Sequence, residues 1–143
     1  TLLRWGANYG KGLQLVNILR DVPEDLARGR CYLPGRGSVE AEVLGAELPR
    51  WQIRARELLA DGLRYTAALH GSRLRMSTGL PALLGGRTLD RLENASWEDL
   101  EMRVKISRGE VKRSLWGAYA RSAPWLPGSW KGEYRRACQR LAS

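Results

Sequence analysis

The sequence predicts an all-α fold. Three observations support this: β-branched residues are few, phenylalanine is absent, and no segment alternates cleanly between apolar and polar residues as half-buried strands do. Apolar residues instead recur at spacings of three and four along most of the chain. Its 143 residues are enough for one domain with a substantial core, and no internal repeat divides them. We therefore expect a single helical domain over residues 1–143.

The first predicted helix extends from about Leu2 to Leu26. Three glycines lie in its first half, at Gly6, Gly10 and Gly12. Because glycine is a poor helix former, we expect another part of the chain to pack close against the backbone there. Pro23 leaves a second interpretation open, in which Asp21 caps a new helix that begins near Pro23.

Turn-forming residues separate the later predicted helices. A loop over residues 28–37 contains Gly29, Pro34, Gly35 and Gly37. Ser107 and Glu110 have the spacing of a capping box at the start of a helix. The predicted helices are a short one over 38–44, a long one from Pro49 to about His70, a region over 74–92 interrupted by Pro81 and Gly85-Gly86, one over 108–121, and a basic one over 134–141, with turns at 94–96 and 124–128.

The first helix has a narrow polar stripe. At about 100° per residue, five side chains fall within an arc of roughly 80°: Gln14, Asn17, Asp21, Asp25 and Arg28. Asp21 and Asp25 are one turn apart, so their carboxylates repel each other unless a cation lies between them. Mg²⁺ prefers oxygen ligands and is commonly held by one or two carboxylates plus substrate phosphates. The stripe therefore indicates a candidate magnesium site.

Two ordinary interpretations remain open for this helix. The stripe is also what a solvated helix face looks like, with Arg20 and Glu24 as a surface ion pair of little energetic weight. The neighbouring apolar arc contains Ile18, Leu19, Val22 and Leu26 and is typical of a residue set that packs in a core. Ile18 and Val22 border the polar stripe, so these two are the candidates for lining an apolar cavity.

Composition and charge limit the function classes. The formal net charge is +9, which allows polyanionic small molecules, acidic membrane surfaces or nucleic acid as partners. The sequence contains no zinc-finger spacing and no aromatic RNA-binding motif, so we expect no nucleic-acid partner. Cys31 and Cys138 form neither a metal spacing nor a redox pair, and no apolar run is long enough to cross a bilayer. A cytoplasmic location is expected.

One segment resembles a known family closely. It contains the pattern Gln14-x-x-Asn17-Ile-Leu-Arg20-Asp21-x-x-Glu24-Asp25, followed by Gly29-Arg30-x-Tyr32-Leu33-Pro34. This segment resembles the second aspartate-rich region of the squalene and phytoene synthases, which join two prenyl diphosphates head to head. Arg103-Val-Lys-Ile is a weaker match, similar to the family's C-terminal Arg-Val element. The resemblance implies an isoprenoid-synthase-type helical bundle.

The resemblance also implies roles for individual residues. Asn17, Asp21 and Asp25 would be Mg²⁺ ligands, and the two aspartates would be the catalytic carboxylates that hold the substrate diphosphate through the metal. The residues implied in substrate binding are Gln14, Asn17, Arg20, Tyr32 and Arg103. Plain surface charge remains the alternative for Arg20 and Arg103, and the role of Tyr32 is loosely defined.

The sequence departs from the family pattern in three places. No Asp-x-x-x-Asp pair precedes Leu13, Pro23 lies between the two aspartates, and Gly85-Gly86 lies near a position where relatives carry a tyrosine. We therefore expect this chain to be the C-terminal part of a synthase. Alone it would bind metal weakly and turn over little, and the missing N-terminal half would be its partner.

The resemblance implies a reaction class but not one substrate. Two farnesyl diphosphates, giving squalene, are slightly favoured by the residues around Gln14 and Tyr32, and two geranylgeranyl diphosphates, giving phytoene, are the close alternative. No dinucleotide fingerprint is present, so the use of NADPH is left open. A non-catalytic relative acting as an assembly factor is a third interpretation. The basic segment over residues 134–140 also favours peripheral contact with a membrane.

Overall fold

The protein is built from α-helices, as the sequence predicted. A computed structural model describes residues 1–33, 41–102, 106–123 and 128–142. These residues form six helices and no strand. In chain order the helices are α1 (Leu2–Ala27), α2 (Ala41–Ala68), α3 (Ser72–Glu93), α4 (Trp97–Glu101), α5 (Arg108–Ser122) and α6 (Ser129–Ala142).

Helix α1 is continuous through Pro23. The alternative in which Asp21 caps a second helix at Pro23 is therefore wrong. Proline at this position removes one backbone hydrogen bond, to the carbonyl of Leu19. Leu19 and Val22, in the turn that precedes Pro23, are buried in the core, and this apolar packing stabilises the helix at the missing hydrogen bond.

Helix α2 is longer than the sequence predicted. We expected a short helix over 38–44 and a second one starting at Pro49, but Ala41–Ala68 is one helix with Pro49 inside it; residues 34–40 lie outside the described part. Pro49 is exposed, as is Gly45, whose carbonyl would have accepted the missing hydrogen bond. Water can solvate that carbonyl, and the neighbouring Leu48 is buried, so the helix continues.

Helix α3 also continues where an interruption was predicted. Ser72–Glu93 passes through Pro81, Gly85 and Gly86 without a break. Gly85 is buried, and a Cβ there would lie 3.1 Å from a methyl group of Leu59. Close packing against α2 therefore explains the small residue at position 85.

The capping box predicted at Ser107 is confirmed. The Ser107 hydroxyl accepts a hydrogen bond from the Glu110 amide at 3.3 Å, and the Glu110 carboxylate accepts one from the Ser107 amide at 3.0 Å. Ser96 and Asp99 form a second capping box at the start of α4, after the predicted turn. The predicted break at 124–128 falls mostly outside the described residues, and α6 begins five residues earlier than expected.

Helix α2 lies at the centre and packs against α1, α3 and α6. The contact with α1 is close at Gly12, where a Cβ would lie 2.9 Å from Leu58 Cβ and 3.1 Å from the Leu58 carbonyl carbon. We expected close packing against the backbone near the three glycines of α1, and this contact confirms that expectation at Gly12. Gly6 also contacts a side chain, that of Tyr65, whereas Gly10 has open space around it.

The C-terminal helix is held to α3 by a tryptophan. Trp130 is fully buried, and its indole N–H donates to the Ser122 hydroxyl at 3.3 Å. The indole ring occupies the space that a side chain at Gly79 would fill. Helices α2, α3, α5 and α6 consequently enclose a cleft on one side of the bundle.

Candidate metal and diphosphate site

The polar stripe lies on the face of α1 that is turned away from the core. Gln14 and Asn17 are exposed, whereas Asp21 and Asp25 are partly buried. The opposite face is apolar and packs in the core through Leu15, Val16, Leu19 and Val22. Since α1 is continuous from Leu2 to Ala27, its periodicity keeps Gln14, Asn17, Asp21 and Asp25 on one face.

The apolar arc of α1 is mainly core. Val22 is 5% exposed, and Ile18 is partly buried against the same core cluster. Of the two candidates for lining a cavity, Ile18 is therefore the more accessible. Both side chains border a narrow crevice of about 10 Å³, whose other lining includes Asp25 and Tyr32. A crevice of that size holds about one water molecule.

Arg20 lies beside Asp21 and pairs with it. Its guanidinium donates two hydrogen bonds to the carboxylate, from Nε to Oδ1 and from Nη2 to Oδ2, each 2.9 Å long. This pairing raises the pKa of Arg20 above its ordinary value, chiefly through the hydrogen bond to Asp21. The arginine thus reaches the polar stripe although its own Cα lies off it.

The segment after α1 folds back towards Asp25. The backbone N–H of Arg30 donates to the Asp25 carbonyl at 2.8 Å, and Gly29 has a φ of 68°, a conformation that favours glycine. Arg28, which the sequence placed on the stripe, pairs with Glu24 at 2.7 Å. Tyr32 is 55% exposed beside the crevice. The loop therefore places Tyr32 next to the aspartate end of the stripe.

The donor set fits one side of a magnesium site. Within the described ranges, no three His, Cys, Asp or Glu side chains converge as a complete metal cluster. Two carboxylates and one amide oxygen, from Asp21, Asp25 and Asn17, are nevertheless ligand types that Mg²⁺ accepts when substrate phosphates and water complete its shell. Arg103, the remaining candidate for substrate binding, lies outside the described residues.

Sequence reasoning missed a second cavity. It has a volume of about 410 Å³ and lies between α2, α3, α5 and α6, where six arginines line it. No contiguous motif marks it, because its residues come from four separate helices. The only local signal is on α6, where Glu133, Arg136 and Arg140 follow one another at spacings of three and four.

Comparison with known proteins agrees with the motif in α1. A sequence model of the squalene/phytoene synthase family matches residues 1–110. The chain belongs to this family. The matched segment contains the whole polar stripe and the Tyr32 loop.

Phytoene synthases are among the similar proteins of this family. The chain is 34% identical over 135 residues to a phytoene synthase of Thermus thermophilus, covering 84% of this chain and 46% of the relative. It is 32% identical over 122 residues to phytoene synthase 2, chloroplastic, of Solanum lycopersicum, covering 76% of this chain and 39% of the relative. The chain thus spans less than half the length of these relatives. No solved structure matches it.

Over the described parts of the chain, no helix is both long enough and apolar enough to cross a bilayer.

Proposed function

We propose that this chain supplies the second aspartate-rich half of a Mg²⁺-dependent, head-to-head prenyl diphosphate synthase. The observation that carries the proposal is the single uninterrupted face of α1 bearing Asn17, Asp21 and Asp25. Membership of the squalene/phytoene synthase family supports the reaction class. Because the chain spans less than half of the relatives above, the activity of the whole protein is part of the proposal.

Each residue of the site has a distinct task in this proposal. Asn17, Asp21 and Asp25 hold Mg²⁺ through oxygen atoms, and the metal when bound supplies charge stabilisation for a departing diphosphate. Arg20 neutralises Asp21 at 2.9 Å and, once a cation takes over that role, can donate to phosphate oxygens. Gln14, Tyr32 and Arg103 complete the contacts to substrate.

The apolar side of α1 has a protective task. An allylic carbocation is captured by water unless the pocket around it is dry. Ile18 borders the stripe and packs against the core, so it is the α1 residue in position to exclude water from the reacting carbon.

The relatives' names favour phytoene as the product. The relatives from Thermus thermophilus and Solanum lycopersicum described above are both named phytoene synthases. This favours two geranylgeranyl diphosphates as substrates over the two farnesyl diphosphates that the sequence slightly favoured. Assays with both labelled donors, each with and without NADPH, decide the product and the reductant.

Binding of a non-hydrolysable prenyl thiodiphosphate tests the site directly. The 143-residue chain is titrated with the C15 and C20 analogues, with Mg²⁺ or with EDTA, by isothermal calorimetry. We expect a Mg²⁺-dependent binding event beyond any binding that persists in EDTA, and we expect Asp21→Asn to weaken this Mg²⁺-dependent event about tenfold or more, since a lost charge-assisted contact costs roughly 1.5–3 kcal/mol.

Glu57→Gln is the matched control. It removes one carboxylate from an exposed position of α2 that pairs only locally with Arg54, so affinity should not change. If the analogue binds equally with EDTA, or if Asp21→Asn leaves the affinity unchanged, the chain is a non-catalytic relative and the proposal is wrong.

Turnover needs a separate assay. We propose that the segment bearing the family's first aspartate-rich region is the partner that completes the site. The chain is assayed alone and together with the N-terminal part of the Thermus thermophilus relative, with product formation followed by radiolabel. Product from the mixture, and little from the chain alone, is the expected result.

Peripheral contact with a membrane belongs to the same proposal. The basic helix α6 supports it through its exposed Arg135, Arg136 and Arg140. Co-sedimentation with anionic vesicles that is lost at high salt is the expected result.

A further inference from the structure

The cleft between α2, α3, α5 and α6 is strongly basic. Six arginines line its volume of about 410 Å³: Arg56, Arg87, Arg113, Arg121, Arg136 and Arg140. Asp90 and Glu133 are the acidic residues among the described lining residues. Six guanidinium groups against two carboxylates leave a formal surplus of four positive charges.

Some of these arginines are neutralised within the protein. Arg56 donates to Asp90 at 2.6 Å and to Glu93 at 2.6 and 2.7 Å, and the carboxylate hydrogen bonds, that to Glu93 first, raise its pKa further above the ordinary value. Arg121 and Arg136 share one carboxylate, that of Glu133, at 2.5 and 2.7 Å. The single negative charge of Glu133 therefore compensates only one of these two positive charges.

Arg87 and Arg113 carry an uncompensated charge into the cleft. Arg87 donates to the backbone carbonyl of Glu110 at 2.8 Å, which orients its guanidinium without neutralising it. Arg113 makes no ion pair with any carboxylate in the described parts of the chain. The two side chains also line a second, adjoining cavity of about 210 Å³ together with Asp90, Arg91 and Glu110. The two carboxylates of this cavity already pair with other arginines, Asp90 with Arg56 and Glu110 with Arg91.

The floor between the arginines is made of small and aliphatic residues. Gly86, Ala60 and Ala82 are small, with open space beside Gly86, and Leu63 contributes an apolar wall. The guanidinium of Arg121 lies against Gly117 and donates to its carbonyl at 2.9 Å. The cleft volume lies within the range of about 300–1,000 Å³ that small-molecule sites occupy. Guanidinium groups that converge on such a space repel one another unless an anion enters, and arginine favours phosphate because it donates in a fork.

We propose that this cleft binds a phosphate-bearing anion, with Arg87 and Arg113 as its principal contacts. A diphosphate group is the chemistry that fits, because two uncompensated guanidinium groups can each bind one phosphate. The phosphate groups belong either to free inorganic diphosphate or to the single phosphates of neighbouring phospholipid headgroups, and the two sources are distinguished below. The site is separate from the α1 stripe and does not depend on the function proposed for it.

Metal dependence distinguishes the two sites experimentally. The cleft offers guanidinium donors, so it binds diphosphate in EDTA, whereas the α1 stripe needs Mg²⁺ to bind the same group. Inorganic diphosphate is titrated into the 143-residue chain in EDTA at low ionic strength by isothermal calorimetry. We expect saturable binding with one equivalent, which weakens as salt increases.

The test variant is Arg87→Gln combined with Arg113→Gln. Its matched control is Arg4→Gln combined with Arg73→Gln, which also removes two positive charges but from exposed positions outside the cleft. We expect the cleft variant to bind diphosphate at least about tenfold more weakly and the control to bind as the unmodified chain does. Circular dichroism establishes that both variants are folded.

Vesicles identify the source of the phosphate. The same three proteins are sedimented with phosphatidylcholine vesicles with or without 30% phosphatidic acid. If the unmodified chain binds the vesicles but not free diphosphate, and only the cleft variant loses vesicle binding, the ligand is a lipid headgroup. If the unmodified chain binds free diphosphate but not the vesicles, and only the cleft variant loses diphosphate binding, the ligand is the free anion. If neither ligand binds in EDTA, or if both double variants weaken binding equally, the proposal is wrong.

Discussion

The polar stripe of α1 and the arginine cleft differ in how the chain builds them. The four stripe residues proposed as metal and substrate ligands all lie on one helix, over residues 14–25, about one turn apart. The cleft comes from four helices, with arginines from position 56 to position 140. The residues of a site on one helix can be recognised from their helical spacing in the sequence. The cleft, in contrast, forms only when α2, α3, α5 and α6 pack together. The two regions should therefore respond differently to changes in packing.

The largest effect is expected at Gly79, which supports the cleft. The Trp130 ring occupies the space of any side chain at this position, so Gly79→Ala should reduce the free energy of unfolding by about 2–3 kcal/mol. Urea denaturation measures this change. At temperatures where the variant remains folded, we expect loss of diphosphate binding in EDTA with Mg²⁺-dependent analogue binding retained.

Gly10→Ala is the control for this substitution. Gly10 is exposed in the interior of α1 with nothing within 4 Å of its added Cβ, so alanine should stabilise the helix by up to about 1 kcal/mol. An unchanged stability for Gly79→Ala would show that α6 is not held by this contact, and the contrast between the two regions would fail.

Gly12→Ala perturbs the other region. Its Cβ would lie 2.9 Å from Leu58 Cβ and 3.1 Å from the Leu59 backbone nitrogen, so α1 must move away from α2. We expect a loss of about 1–2 kcal/mol, because the overpacking cost is partly offset by the better helix propensity of alanine. Urea denaturation and analogue titration with Mg²⁺ measure the two consequences. Equal weakening of analogue and diphosphate binding would contradict the separation of the sites.

A smaller change in stability is expected at Arg20. Its pair with Asp21 is partly exposed, with side-chain exposures of 42% and 33%, so Arg20→Gln should cost less than about 1 kcal/mol of unfolding free energy. Analogue binding with Mg²⁺ should weaken much more than stability does, because Arg20 also donates to phosphate in the proposed function. If affinity is unaffected, Arg20 is plain surface charge.

The smallest effect is a pH dependence at the start of α5. Hydrogen bonds from Ser107, and to a smaller extent the charge of Arg91, hold the pKa of Glu110 below its usual range. Because the folded pKa is lowered, the stabilisation is present above about pH 4.3 and is lost as pH falls through the folded value. We expect Glu110→Ala to lower the Tm by a few degrees at pH 7 and by progressively less as the pH falls below about 4.3.

Glu110→Gln is the control for this pH dependence. Glutamine keeps the capping geometry but does not titrate, so the Tm difference between Glu110→Gln and Glu110→Ala should stay constant across the same pH range. A difference that follows pH would assign the effect to another group.

The fold class, the stripe and the capping box could be predicted because each is a local pattern. The α1 bounds were predicted within one residue, and the Ser107–Glu110 spacing identified the start of α5. The continuity of α1 through Pro23 was predicted with a second interpretation left open, whereas the continuity of α2 through Pro49 and of α3 through Pro81 could not be predicted. It depends on tertiary packing and on solvation of the freed carbonyls, and neither can be read from local propensity.

The cleft could not be predicted for a related reason. Arg87 and Arg113 are 26 positions apart, and their proximity follows from the packing of α3 against α5. In the sequence, each looks like one more basic residue on a helix surface. The metal role of Asn17, Asp21 and Asp25 stays a prediction, supported by their shared face and by family membership.

Tyr9 fixes the longitudinal position of α1. Its buried ring occupies the space that any side chain at Gly62 would take, and its hydroxyl donates to the carbonyl of Thr78 on α3. A slip of α1 along α2 would move the ring away from Gly62 towards residues on the same face of α2 that carry full side chains, Leu59 on one side and Tyr65 on the other. Ligands that reach α1 consequently meet a helix that cannot translate, and any adjustment to them must come from side-chain rotation.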